Sequence, residues 1–190
     1  MQSCPIGIDG LCGFHNGHGC LLFLYFGDVV AKDGLFELLA RHVAIMDELR
    51  SRGVLRTENN PTGDLSEYLF CRAFGWEQAA NSVRSYDATD SAGNRYQIKG
   101  RRLNKWSKSR QLSAIRDLDG FDYLAGVLFD HQYTIIRAAI IPSSVVAGLA
   151  NRHEHTNSFR FLLRDNVWDN TAVSDVTAKL QDIDSSLNPI

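Results

Sequence analysis

The chain is short of cysteine, of long apolar runs and of net positive charge, and each scarcity removes a class of protein. Four cysteines, Cys4, Cys12, Cys20 and Cys71, are few for a chain of 190 residues, so a disulfide scaffold of the secreted kind is not expected. The longest apolar run, residues 21–26, is far below the about 20 residues of a membrane-spanning helix. The first residues show neither the basic cluster nor the small-residue cleavage site of a secretory signal, and a cytoplasmic protein with no membrane association is expected. Lys and Arg total 20 against 22 Asp and Glu, giving a net charge of -2 and a pI near 6.3. Nucleic-acid binding would therefore have to rest on a local patch. Internal repeats, a phosphate-cradling glycine loop and a Gly-X-Ser-X-Gly elbow are all missing, which argues against an NTPase and a serine hydrolase.

What is present suits one globular domain with a full core, at 44% hydrophobic and 22% charged residues. Residues 1–32, rich in Gly, Cys and His without period, read as an irregular arm. Cys4, Cys12, His15, His18 and Cys20 within it match no standard zinc-finger spacing. Residues 33–190 read as a single α/β domain. Asp33 opens a helix striped by Leu35, Leu38, Leu39, His42, Ile45, Met46 and Leu49 and stopped at Gly53. Asp64 opens a second, running to about Phe74 and closed by Gly75. Residues 83–89 and 94–102 read as a hairpin, 111–118 as a short helix, and 123–129 and 133–141 as central strands. A helix over 142–151, a strand at 159–163 and a closing helix marked by Val173, Val176, Leu180 and Ile183 follow. That order predicts a mixed β-sheet flanked by helices.

The hairpin carries the chemistry. A three-residue loop, Ser91-Ala92-Gly93, with Gly93 in the left-handed position sets Asp90 against Asn94 and Asp87 against Gln97. Side chains alternate along a strand, so Gln97, Lys99 and Arg101 share a face, and Asp87 can share it with the first two. A carboxylate and an amide carbonyl are hard oxygen ligands suited to Mg²⁺ or Mn²⁺. Lys99 beside them would hold an attacking water or neutralise a phosphate. Glu67, on the helix before the hairpin, is the candidate for a further carboxylate; equally, Asp64-Leu65-Ser66-Glu67 fits a capping box in which Glu67 only satisfies the helix start.

Downstream, Arg95, Lys99, Arg101, Arg102, Lys105, Lys108, Arg110 and Arg116 occur with no Asp or Glu among them. Arg101, Arg102, Lys105, Lys108 and Arg110 are the candidates for backbone phosphates, and Trp106 for stacking on a base or sugar. His153-Glu154-His155 lacks the second His one helical turn on that a metalloprotease needs.

These residues together resemble the PD-(D/E)XK, or restriction-endonuclease-like, nuclease superfamily over residues 60–141. Asp87 matches the motif's Asp, Gln97-Ile98-Lys99 its acid-X-Lys with Gln in the acid position, and Glu67 its helix acid; Tyr86 stands where many members have Pro. The resemblance implies a restriction-endonuclease-like core and a metal-dependent endonuclease with Mg²⁺ or Mn²⁺ at Asp87, Gln97 and Glu67. It further implies DNA as substrate, with RNA left open; a homodimer is expected separately, since cutting two strands is simplest with two copies of one site. The rival expectation is a noncatalytic nucleic-acid-binding or assembly module that keeps the fold and has lost the chemistry with the Gln97 exchange. A neutral surface around residues 99–116 would instead favour a small-molecule-binding protein.

Overall fold

The structure is a computed structural model that describes residues 34–80 and 85–187. The expected irregular arm with its Cys and His, the Asp33 cap and the start of the hairpin at Val83 lie outside them. The described residues fall into two compact units divided between Asp47 and Glu48. The first is most of helix α1 (Leu35–Ser51), started by a Gly34 N–H donated to the Glu37 carboxylate at 2.8 Å. Of its apolar stripe, Leu35, Leu38, Leu39 and Ile45 are exposed and Met46 is buried.

The second unit is mixed α/β. Its elements are α2 (Thr62–Phe74), β1 (Glu77–Gln78), β2 (Ala88–Thr89), β3 (Arg95–Arg102), β4 (Tyr123–Phe129), β5 (Ile135–Pro142), α3 (Ser143–Leu149), β6 (Asn151–His153), β7 (Ser158–Arg160), β8 (Ser174–Asp175) and α4 (Thr177–Leu187). With α1 this gives four α-helices among the described residues. A six-stranded sheet runs β1-β2-β3-β4-β5-β8; β3 and β4 pair parallel and the other neighbours antiparallel. β6 and β7 form a separate hairpin. No helix among the described residues is long and apolar enough to cross a membrane.

Each face of the sheet buries one cluster, because β3, β4 and β5 are covered on both sides. Ile98, Ala125, Val127 and Ala138 face Leu69 and Phe70 of α2 and Leu180 of α4. Leu124, Leu128, Ala139 and Ile141 face Leu112, Ile115, Phe161 and Leu163 from the long connections and Val146 of α3. An aromatic stack, Trp76 on Tyr96 with ring centroids 3.7 Å apart and Tyr96 on Tyr123 at 5.4 Å, ties the end of α2 to β3 and β4. Gly75 ends α2 at φ 67, as its sequence position predicts, and its N–H is donated to the Cys71 carbonyl.

Three expectations are corrected. Residues 111–118 are extended rather than helical. The N–H groups of Leu112 and Ile115 bond the Phe161 and Phe159 carbonyls, both at 3.0 Å, so the spacing that suggested a helix serves a β-like connection. Helix α2 starts at Thr62, two residues before Asp64, and no side chain caps it. Asp64 instead turns back, its Oδ2 accepting the N–H groups of Arg56 (2.8 Å) and Thr57 (2.7 Å) and the Thr57 hydroxyl (3.0 Å). Strand β5 begins at Ile135 rather than Tyr133, because Tyr133 closes the preceding turn at φ 69.

Candidate functional site

Strands β2 and β3 start as a hairpin and then part. At the closed end the turn has its expected form: Gly93 lies at φ 84, and the Asp90 carboxylate accepts the Ala92 and Asn94 N–H groups, both at 2.9 Å. Further hydrogen bonds from the Asn94 amide and the Tyr96 hydroxyl hold Asp90 below its usual carboxylate range, the Asn94 side chain contributing most. The register Ala88 to Tyr96 and Thr89 to Arg95 brings Asp87 level with Gln97.

Backbone pairing stops at that level. The Asp87 N–H is donated to the Tyr96 carbonyl at 2.8 Å, and the Ile98 N–H then finds a side chain in place of a strand. Oδ2 of Asp87 accepts that N–H at 2.6 Å and also the side-chain amide of Gln97. Lys99 Nζ stands 3.9 Å from the same oxygen, both side chains being about four-fifths buried. Gln97, Lys99 and Arg101 pair across the parallel ladder with Leu124, Gly126 and Leu128, on the face opposite α2. Gly126 leaves room there: a Cβ on it would come within 3.0 Å of a Leu163 methyl.

Asp87, Gln97 and Lys99 line one wall of a cavity of about 750 Å³, which Ser85, Ala114, Arg116 and Asp117 also line. Asp87 borders a second cavity, of about 200 Å³, with Glu67, Arg56 and Asp64. The structure therefore brings Glu67 to the neighbourhood of Asp87, and the capping-box alternative is overturned. The Glu67 carboxylate accepts the Gln78 amide at 2.8 Å and lies 3.9 Å from Arg56. Burial and then the Asp87 charge raise its pKa above the ordinary value. Among the described residues no group of three or more His, Cys, Asp or Glu is arranged to hold a metal ion, and the third nearby acid, Asp64, is engaged by the chain before α2. The oxygens on offer in the larger cavity are those of Asp87 and Gln97; Glu67 lines the smaller cavity, which shares Asp87 but not Gln97 or Lys99.

The raised Glu67 pKa has a sign that can be measured. A carboxyl that holds its proton more tightly in the folded chain favours the fold at low pH and opposes it as pH rises through the folded pKa. Glu67→Gln keeps an acceptor for Gln78 and removes the charge. It is expected to melt above the parent at neutral pH, with the gap closing below the ordinary value of 4.5. A gap of constant size in thermal melts across that range would contradict the assignment. Cys71, by contrast, is held by burial at a pKa of about 11, so it is no thiolate nucleophile near neutrality.

The basic run divides in the fold. The Arg95 guanidinium is taken by the Asp122 carboxylate at 3.2 Å and 3.0 Å, which also accepts the Arg95 backbone N–H at 2.8 Å, and Arg110 is taken by Asp165 at 2.7 Å. Of the phosphate candidates, Arg110 is thus neutralised where it stands. Arg101 donates to the Ser109 carbonyl at 3.1 Å, and Arg102 lies over the Tyr133 ring, 4.8 Å from its centroid. Lys105, Trp106 and Lys108 are exposed. Sequence reasoning did not single out Arg56, Ser85 or Asp117 as site residues, and Arg116 only as one cation of the run. Arg56 and Ser85 carry no local signal, and Asp117 is the first acid to end the basic run. Compared with known proteins, the chain matches no family model and no curated protein.

Proposed function

We propose that this chain is a Mg²⁺- or Mn²⁺-dependent endonuclease of the PD-(D/E)XK type with a restriction-endonuclease-like core, in its QXK form, acting on DNA. The observation that carries the reading is the convergence of Asp87, Gln97 and Lys99 on one wall of an open cavity where two strands part. The donors are oxygens without thiolate or imidazole, which suits a hard divalent cation. Asp87 and the Gln97 carbonyl would hold it, with Glu67 as the further acid. Mg²⁺ keeps several waters and is commonly bound through one or two carboxylates plus substrate phosphates, so so small a protein set is sufficient. When bound, the ion neutralises phosphate charge and acidifies water.

The chain's own groups supply the rest. Lys99, held near Asp87, orients the attacking water or offsets the charge that builds on the phosphate. Arg101, two residues on along the same face, and Lys105 and Lys108 beyond it hold the adjacent backbone. Two copies of the chain would supply one site per strand of a duplex, in the cytoplasm that its cysteine usage suits.

One observation favours the noncatalytic rival: Gln97 donates its amide to Asp87, so the pair is satisfied without a metal. Plasmid and linear DNA incubated with Mg²⁺ or Mn²⁺, beside an EDTA control, separates the two. Metal-dependent cleavage by the native chain is the expected result. Salt-sensitive DNA binding without cleavage under either metal would transfer the conclusion to a binding module.

A further inference from the structure

Beyond the last residue of β3 the chain builds a third concavity, which the proposed hydrolytic site does not use. Leu103 and Ile136 form its apolar walls, the stretch from Asn104 to Arg110 one rim and the Asp130–His131 turn the other, enclosing about 280 Å³. Ile136 is 41% exposed: it is the residue skipped where the β4–β5 register shifts, at the end of β5 that β8 does not cover. The polar groups around it are mostly occupied. The Asp130 carboxylate accepts the Gln132 and Thr134 N–H groups at 2.8 Å and 2.9 Å, and Arg110 is paired with Asp165. What faces a ligand is therefore apolar surface edged by Lys105 and Lys108 on one rim and by the Asp130 carboxylate and His131 on the other.

On the same turn stands Trp106, 92% exposed. The turn that presents it is fixed: the Asn104 side chain accepts the Trp106 and Ser107 N–H groups at 2.9 Å and 2.6 Å, and the Asn104 N–H is donated to the Ser107 carbonyl at 3.1 Å. The connector is tied to the sheet as well, through the Arg101 side chain of β3 to the Ser109 carbonyl at 3.1 Å and the Leu103 N–H to the Phe129 carbonyl of β4 at 2.8 Å. Leu103 lies four residues on from Lys99, about 13 Å at the strand rise of roughly 3.3 Å per residue.

We infer that the apolar cavity at Leu103 and Ile136, together with Trp106, binds unpaired nucleobases of a nucleic-acid strand whose phosphates lie along Lys99, Lys105 and Lys108. The occupant follows from complementarity: flat apolar faces meet the cavity and the indole, while the cationic rim takes the polyanion that carries them. A base-paired duplex offers phosphates to such a rim but keeps its base faces stacked inside, so stacking platforms of this kind select open strands. Resting on the nuclease reading, the inference makes the substrate single-stranded beside the bond that is cut.

The test is binding in EDTA, where no cleavage can occur, by anisotropy of end-labelled oligomers of one length: a thymidine strand, a blunt duplex, an abasic strand and a uridine strand. The thymidine or the uridine strand is expected to bind about tenfold more tightly than both the duplex and the abasic strand, as stacking of a base or two implies. Trp106→Ala, at a surface position, is expected to bring base-bearing strands down to the abasic level and leave the duplex unchanged. Equal or tighter binding of the duplex, equal binding of the abasic strand, unchanged affinity in Trp106→Ala, or no binding of open strands would each overturn the inference. Cleavage with metal is scored separately, so a chain that cuts duplex DNA and fails this test leaves the nuclease reading standing, and one that passes it without cutting does the reverse.

Discussion

Asp87→Ala is expected to lower the rate of DNA cleavage by about 10²–10⁴-fold and to destabilise the fold by about 1–3 kcal/mol in the same stroke. The rate loss follows from removing the central carboxylate of the proposed site. The stability loss follows from the fork between β2 and β3, where Asp87 is the partner that the Ile98 N–H and the Gln97 amide have. Leaving a buried backbone donor unpaired is what sets the scale. Asp87→Asn separates the two effects, since an amide carbonyl can still accept from Ile98 while the charge is gone. It should recover much of the stability and little of the rate. Lys99→Ala should show the rate loss with little change in stability, because its ammonium stands 3.9 Å from Asp87 and makes no ladder bond. Single-turnover cleavage beside urea denaturation measures both quantities. An Asp87→Ala chain as stable as the parent would remove the structural half of this account, and one that cleaves at the parent's rate would remove the chemical half.

Gly100→Ala should destabilise the chain by about 1–3 kcal/mol, the range for overfilling a close-packed contact, which lowers Tm by roughly 2–4 °C per kcal/mol in a domain of this size. A Cβ at this position on β3 would lie 2.0 Å from the Ser66 hydroxyl, 3.0 Å from the Thr62 carbonyl and 3.2 Å from the Ser66 Cβ. The hydroxyl can swing aside, and Ser66→Ala would remove it altogether. The backbone carbonyl and the Cβ cannot, so α2 has to lift from the strand. Because α2 carries Glu67, the same shift would move that carboxylate relative to Asp87. The double variant Gly100→Ala with Ser66→Ala is therefore expected to regain only part of the lost Tm. Full recovery would mean that the hydroxyl alone set the distance.

How much of this was legible in the sequence depended on how far apart the partners lie along the chain. The hairpin was readable because its instructions are local: Gly93 in the left-handed position and Asp90 bonded to Asn94 fix the register that sets Asp87 against Gln97. Strand β4 was readable because it is covered on both faces and so apolar throughout. The stretch 111–118 was not, since Leu112 and Ile115 have helical spacing and the strand-like partners that overrule it arrive with Phe159 and Phe161. Asp64 looked like a helix cap because it precedes an apolar run, yet its carboxylate serves Arg56 and Thr57. The unbroken basic run was misleading in the same way, for the acids that neutralise Arg95 and Arg110 sit at Asp122 and Asp165. β1 and β8, two residues each, are too short to have any pattern at all.

The one parallel pairing among the described residues, β3 beside β4, gives the chain a timetable. The β2–β3 and β4–β5 hairpins each close over a few residues with their own Asp-anchored turns, Asp90 to Asn94 and Asp130 to Thr134, and can form early and independently. The seam between them waits for the connector from Leu103 to Asp122 to loop across the sheet, a closure of higher entropic cost and longer range. One wall of the large cavity comes from β3 and the other from that connector, at Ala114, Arg116 and Asp117. The pocket is thus completed only as that seam zips, and the stacking of Tyr96 on Tyr123 across the same seam reports the event during refolding.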